Sequence, residues 1–227
     1  LVSGFTTTGA SILKDVEALP HCLLFWRSFT HWVGGMGIFV FMLAVVPLLG
    51  GSTFNLMKAE SPGPIIGKFV PKIKDSSLIL YTIYMVITVS EFLLLWIFGM
   101  PVFEAICHTF GTVGTGGFGV RNDSCGGYSS LMQSIITVFI IMFGVNFNAY
   151  FFILRRKFGE VTKMSEIKGY FGIIAFAIIT ITINIRHMFP SLYQAIHHAA
   201  FQVGSIITTT GYATADFDQW PQYSRAL

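Results

Sequence analysis

Charged residues are scarce in this chain of 227 residues, of which Asp, Glu, Lys and Arg make up 11%, against about 25% in an ordinary soluble domain. The three cysteines, Cys22, Cys107 and Cys125, match no spacing typical of a zinc or redox site, so we expect neither a transition-metal site nor a disulfide framework. Phosphate-binding glycine loops, dinucleotide fingerprints and basic patches interleaved with aromatic residues are also missing. The sequence therefore argues against an organic cofactor or a nucleic acid as ligand.

Hydrophobic residues, in contrast, make up 53% of the chain and include 23 phenylalanines. A helix needs about 20 apolar residues to cross a bilayer, and only helices or closed barrels satisfy their backbone there. The apolar residues therefore predict an all-α polytopic (multi-pass) membrane protein. Its polar start has no signal-peptide features, so we expect an internal fragment of a longer protein. The predicted crossing segments are 21–50, 77–99, 128–154 and 169–188.

Basic residues concentrate in two linkers that would emerge on the same side of the membrane, at 51–76 and 155–168. Because cytoplasmic loops are enriched in Lys and Arg, we expect this side to be cytoplasmic. The residues are Lys58, Lys68, Lys72 and Lys74 in the first linker, and Arg155, Arg156, Lys157, Lys163 and Lys168 in the second.

The opposite connections each contain a short apolar stretch, "PVFEAICHTF" and "PSLYQAIHHAAFQVGS". Both stretches are too short to cross a bilayer, both open with a proline suited to a first helical turn, and both are followed by Thr and Gly. A short helix followed by glycine-rich backbone between two crossing helices is typical of a re-entrant pore loop.

The pore loops recur with a regular spacing. Ala105 precedes Gly116 by eleven residues, Ala200 precedes Gly211 by eleven, and the string around Gly9 matches the end of this unit. We therefore expect tandem repeats of helix, pore loop and helix, with a fourth repeat absent from this sequence. The predicted divisions are the end of repeat 1 (1–50), a linker (51–76), repeat 2 (77–154), a linker (155–168) and the start of repeat 3 (169–227).

The Thr-Gly strings at 6–10, 113–117 and 208–212 contain the groups that a dehydrated monovalent cation needs. Glycine permits the backbone conformations that turn carbonyl oxygens in one direction, and rings of such oxygens can replace the hydration shell of an ion. Threonine hydroxyls add oxygen atoms without a fixed charge. One strand cannot surround an ion, but four related strands can. The alternative is that the strings are turns or close-packing sites between helices.

Five stretches resemble the Trk/Ktr/HKT family of potassium uptake proteins: "SGFTTTGAS", "FWRSFTHWVGGMGIFVFMLAVVPLLG", "AESPGP", "FGTVGTGGFGV" and "FQVGSIITTTGYATADFDQWP". The resemblance implies potassium uptake through a pseudo-fourfold pore of four repeats, incomplete here, in the plasma (inner) membrane of a bacterium. It also implies a membrane homodimer. Cytosolic nucleotide-binding regulatory subunits of the TrkA or KtrA type would dock on the two basic linkers.

The same resemblance assigns residues to the ion path. Arg27 and His31 would support the filter from behind; the alternative is that they lie at the outer membrane interface. Gly9, where sodium-preferring plant members have serine, favours potassium. The expected ion-binding residues are Thr6, Thr7, Thr8 and Gly9 in the first string, Val113, Gly114, Thr115 and Gly116 in the second, and Thr208, Thr209, Thr210 and Gly211 in the third.

Two other functions stay open from the sequence. A sodium-permeable or poorly selective cation transporter of the same family would result from different filter oxygens, and the glycine-rich second string allows it. An intramembrane enzyme would use Glu104, His108 and His197, whose side chains should then meet in one cavity. A pore requires instead that the backbones at the three strings converge on an axis. Glu91, inside the second apolar segment, has no role assigned by the sequence.

Overall fold

The computed structural model describes residues 1–37 and 73–227, and all regular secondary structure in these ranges is helical. This confirms the predicted all-α class. In chain order the helices are α1 (Val2–Phe5), α2 (His21–Gly35), α3 (Ile73–Ile97), α4 (Val102–Val113), α5 (Ser130–Phe143), α6 (Phe147–Leu154), α7 (Phe158–Lys163), α8 (Ser165–Ile185), α9 (Leu192–Ile207) and α10 (Gln222–Ala226).

The helices pack in a recurring pattern. The short helix α4 packs against its neighbours in sequence, α3 and α5, and α9 packs in the same way against α8. Each short helix also packs against the helix that follows the preceding string. α4 contacts α2, which follows the first string, and α9 contacts α5, which follows the second. A long helix and the short helix that follows it therefore pack together in the same way in both places.

The two short helices begin close to the predicted prolines, but neither proline lies in the first helical turn: Pro101 is the cap residue of α4, and Pro190 precedes the cap residue of α9. α4 starts directly after Pro101, and its 12 residues are too few to cross a bilayer. α9 has 16 residues, and its cap is Ser191, whose hydroxyl accepts a hydrogen bond of 3.2 Å from the Gln194 amide. Such a cap satisfies one of the backbone amides left free at a helix start.

Two helices in the described ranges are long and apolar enough to cross a membrane, Ile79–Ile97 and Ser165–Met188. The second exposes large apolar side chains along its length, among them Ile173, Phe176 and Ile183. A helix that is hydrophobic on its exposed side needs an apolar surrounding, such as lipid or another protein. Of the first predicted segment, α2 is described, and residues 38–50 lie outside the described ranges.

The third apolar segment is not the single helix predicted for 128–154. α5 ends at Phe143 and α6 begins at Phe147. At the break, two tyrosine hydroxyls donate hydrogen bonds to backbone carbonyl groups near the end of α5. Tyr170 donates to the Ile141 carbonyl at 2.9 Å, and Tyr150 donates to the Met142 carbonyl at 2.6 Å. These hydrogen bonds satisfy the backbone at the break and stabilise it inside the apolar segment.

Glycines on α2 allow close contact with the first two strings. A Cβ atom at Gly34 would overlap the Phe5 carbonyl, and one at Gly35 would overlap the Cα atom of Gly114. Small residues at such positions let backbones approach each other closely. α2 therefore lies directly behind the ends of α1 and α4.

Candidate selectivity filter

The three Thr-Gly strings follow the C-terminal ends of α1, α4 and α9 and share one backbone conformation. In each string a threonine and the glycine two positions later have positive φ. These pairs are Thr7 and Gly9 (53° and 73°), Thr115 and Gly117 (50° and 73°), and Thr209 and Gly211 (59° and 85°).

The hydrogen bonds of the strings follow the same register. The residue before each of these glycines donates its amide to a carbonyl in the last turn of the preceding helix. The pairs are Thr8 to Ser3 (3.0 Å), Gly116 to Gly111 (2.9 Å) and Thr210 to Ser205 (2.8 Å). The three strings are therefore equivalent residue by residue.

This register corrects the alignment predicted from the sequence by one residue. Gly117, rather than Gly116, is equivalent to Gly9 and Gly211, and Gly116 is equivalent to Thr210. The predicted spacing of eleven residues starts from Ala105 and Ala200. The buried residue equivalent to Ala105 is instead Ala199, which directly precedes Ala200 in sequence.

Threonine at positive φ is a feature that the sequence did not indicate. The left-handed conformation costs roughly 1–2 kcal/mol for a residue other than glycine. Each of the three threonines donates its amide to a helix carbonyl three residues earlier, at 2.9 to 3.1 Å. Strain of this kind persists where surrounding contacts enforce it, and it is concentrated at functional sites.

The strings converge in space. A Cβ atom at Gly9 would overlap the Gly116 carbonyl oxygen and lie 3.9 Å from the Thr210 carbonyl oxygen. A Cβ atom at Gly117 would overlap the same Thr210 oxygen. At Gly211 no atom of the described residues lies within 4 Å of the corresponding position. The backbones of the three strings therefore lie against one another, with Gly117 in the place predicted for Gly116.

The oxygen atoms at this site are neutral. In the first string the hydroxyls of Thr6 and Thr8 are 2.8 Å apart, and in the third string those of Thr208 and Thr210 are 2.8 Å apart. The equivalent residues of the second string are Gly114 and Gly116, which have no hydroxyl. Neutral carbonyl and hydroxyl oxygens suit a monovalent cation, as does the partial negative charge at the C-terminal ends of α4 and α9.

Arg27 and His31 lie behind the second string. The His31 ring stacks on the Phe118 ring at 3.9 Å between centroids, and the Arg27 guanidinium lies 4.2 Å from the same centroid. At these distances the two groups cannot share one face of the ring, so Phe118 is inserted between them. A Cβ atom at Gly116 would overlap the His31 ring. His31 is fully buried, and its ring lies against the second string.

Of the residues of the alternative enzyme, Glu104 and His108 share one contact through Tyr128, and His197 makes a different one. Glu104 accepts a hydrogen bond of 2.6 Å from the Tyr128 hydroxyl, which is 3.0 Å from Nε2 of His108. His197 instead places its Nε2 at 2.7 Å from Oε1 of Gln133. In the parts of the chain that are described, no group of three or more His, Cys, Asp or Glu side chains could hold a metal ion.

Glu91 is fully buried on α3. Its two carboxylate oxygens have no hydrogen-bond partner among the described residues. Buried polar groups normally have a hydrogen-bond partner, and the hydroxyls of Thr109 and Thr112 on α4 share this exception with Glu91 among the described residues.

A clamp between two outer loops was not apparent from the sequence. The Asn122 side chain accepts a hydrogen bond from the Val16 amide (2.8 Å) and donates one to Asp15 (2.8 Å), and its own amide donates to Glu17 (3.0 Å). The hydrogen bond from Asn122 holds the pKa of Asp15 below its ordinary value. The loop after the first string is thereby fixed to the loop after the second.

We expect Asn122→Ala to release the loop at 11–20. Lys14 lies in this loop, so trypsin should cleave after Lys14 faster in the variant than in the unchanged protein, as measured by mass spectrometry at pH 7 to 8. The lowered pKa of Asp15 keeps its carboxylate charged at this pH, and the contact is lost only as pH falls through that pKa. Asp218→Asn, in an outer loop of the third repeat, serves as the control, and equal cleavage in both variants would contradict the clamp.

The comparisons with known proteins agree with this geometry. The family model for TrkH, described as a cation transport protein, matches residues 1–186. The chain is 36% identical to the Trk system potassium uptake protein TrkH of Salmonella typhimurium and 33% identical to the Trk system potassium uptake protein TrkG of Escherichia coli. The match to TrkH covers 99% of this chain and 48% of that relative, and the match to TrkG covers 98% of this chain and 47% of that relative. The crystal structure of the potassium transporter TrkH from Vibrio parahaemolyticus superimposes with a TM-score of 0.80 at 31% identity, covering 99% of this chain and 46% of that one. The chain thus spans about half the length of the relatives it matches.

Proposed function

This chain belongs to the TrkH family of cation transport proteins, and we propose on this premise that its three Thr-Gly strings form part of a potassium selectivity filter. The observation that carries the proposal is the convergence of the strings in one register, with the carbonyl of each later string against the glycine of the earlier one. The family's description as transport proteins also confirms the prediction that the chain is not an enzyme.

The carbonyl oxygens of the strings bind the dehydrated ion in this proposal, and the threonine hydroxyls add further oxygen atoms. The residues are those predicted from the sequence, Thr6 to Gly9, Val113 to Gly116 and Thr208 to Gly211, with Gly117 added by the register. Arg27 and His31 act from behind by fixing Phe118, which directly follows Gly117 in the second string.

A fourth strand completes the ring in this proposal. Gly9 and Gly117 each face a carbonyl of the next string, whereas the same position at Gly211 is open among the described residues. The next repeat of the complete protein would place its carbonyl there. Potassium uptake then belongs to the complete protein rather than to this chain alone.

The surroundings of the pore are part of the same proposal. The complete protein crosses the bacterial inner membrane several times and forms a homodimer. Its basic linkers face the cytoplasm and bind nucleotide-binding regulatory subunits of the TrkA or KtrA type. Of these linkers, 155–168 contains α7, where Lys163 pairs with Glu160 at 3.2 Å and both side chains are exposed. The greater part of the other linker lies outside the described residues.

A sodium-permeable or poorly selective transporter is the second candidate. It is favoured by one observation, the absence of the hydroxyl pair from the second string, where Gly114 and Gly116 replace threonine. Fewer oxygen atoms around the ion would weaken the discrimination between potassium and sodium.

Rubidium uptake into vesicles that contain the complete protein distinguishes these functions. We expect potassium to compete strongly and sodium weakly. Gly9→Ser should lower this preference, because its side chain would displace the Gly116 carbonyl. Gly172→Ser on α8, where no described atom lies within 4 Å of a Cβ, is the matched control and should keep the preference. Equal competition by both ions in the unchanged protein would support the second candidate, and no competition by either would contradict both.

A further inference from the structure

The residue that follows the positive-φ glycine is aromatic in the second and third strings. Phe118 follows Gly117, and Tyr212 follows Gly211, so the common register makes them equivalent. Both side chains are buried, with 8% and 0% exposed. Each one reaches away from its own string into the preceding repeat.

Tyr212 connects the third string to the second repeat. Its hydroxyl is shared between two carbonyl oxygens, those of Phe118 at 3.2 Å and His108 at 3.4 Å. Its hydroxyl also fills the space that a Cβ atom at Gly111 would occupy. The Tyr212 carbonyl in turn accepts a hydrogen bond of 2.6 Å from Ser205, which fixes the backbone from which the side chain extends.

Phe118 makes the equivalent connection one repeat earlier. Its ring lies between Arg27 and His31, both on α2, which follows the first string. The second string is therefore attached to the first repeat, and the third string to the second. The two connections differ in the type of contact: Phe118 stacks on a neighbouring ring, whereas Tyr212 donates a hydrogen bond.

We propose that Tyr212 and Phe118 are positioning residues that set the distance between neighbouring filter strings and thereby the preference for potassium over sodium. This inference rests on the proposed function. The Phe118 carbonyl that Tyr212 holds is one residue from Gly117, and Tyr212 itself is one residue from Gly211. A single side chain therefore links the glycine positions of two strings. Selectivity depends on the number and placement of carbonyl oxygens around the ion, so a change in this link changes selectivity.

The test is Tyr212→Phe in the complete protein, which keeps the ring and removes only the hydroxyl. We expect the ratio of potassium to sodium competition against rubidium uptake to fall by about three- to tenfold, the range that the loss of one neutral hydrogen bond produces. Tyr223→Phe is the matched control, because it removes a hydroxyl from a side chain that is 52% exposed, and its ratio should not change.

An unchanged ratio in Tyr212→Phe overturns the inference. So does a variant that takes up less of every ion and melts at a lower temperature while the ratio is preserved, because this indicates a purely structural role. If Tyr212→Phe cannot be purified, Phe118→Leu is measured in its place. It keeps an apolar side chain without the ring that Arg27 and His31 contact, and again an unchanged ratio overturns the inference. Failure of the proposed function is distinct, because the unchanged protein would then show no preference for potassium.

Discussion

Gly117→Ala is expected to reduce selective potassium uptake by the complete protein strongly. The substitution adds a Cβ atom at a φ of 73°, which costs roughly 1–2 kcal/mol in a residue other than glycine. It also places this atom on the Thr210 carbonyl oxygen, so the backbones of two strings must move apart. Rubidium uptake per amount of folded protein should fall by about tenfold or more, because 1.4 kcal/mol corresponds to a factor of ten.

Gly116→Ala is the control that tests the register. Gly116 does not have positive φ, and a Cβ atom there would meet the His31 side chain rather than the backbone of another string. We therefore expect a smaller loss of uptake than for Gly117→Ala. Gly172→Ala, where a Cβ atom meets no described atom within 4 Å, should transport normally. Normal uptake by Gly117→Ala, together with its loss in Gly116→Ala, would restore the alignment predicted from the sequence.

Local sequence features were sufficient for the short helices and the positions of the strings. The prolines, the length of the apolar stretches and the terminal Thr-Gly pairs all act within a few residues, so pattern and propensity predict α4 and α9 correctly. The break between α5 and α6 could not be predicted in this way. It depends on the Tyr170 hydroxyl, which comes from another helix, 29 residues from the carbonyl that it binds.

The details of the filter needed the structure for two physical reasons. Adjacent alanines at 199 and 200 fit the repeat equally well, and only burial and hydrogen bonding identify Ala199 as the equivalent of Ala105. The contacts that hold the strings also join distant parts of the chain: Asn122 binds residues more than 100 positions away, and Tyr212 binds a carbonyl 94 positions away. No periodicity in the sequence records such pairs.

His31→Ala is expected to destabilise the protein and to lower its preference for potassium. The substitution removes a fully buried ring and leaves a cavity between α2, Phe118 and the second string. Truncation of large buried side chains to alanine costs about 2–5 kcal/mol, and each kcal/mol lowers the melting temperature by about 2–4 °C in a protein of this size. Thermal melting in detergent measures the first effect, and potassium and sodium competition measures the second. His187→Ala, at an exposed position, is the control and should change neither.

A double-mutant comparison shows whether His31 acts on the filter directly. Because a Cβ atom at Gly116 would overlap the His31 ring, the cavity in His31→Ala leaves room for the new methyl group. The combined Gly116→Ala and His31→Ala variant should therefore lose less uptake than the sum of the two single losses, as expected for residues in contact. The uptake lost in Gly117→Ala should not be reduced by adding His31→Ala, because the new methyl group overlaps the Thr210 carbonyl rather than the His31 ring. Additive losses in both combinations would contradict direct support of the second string by His31.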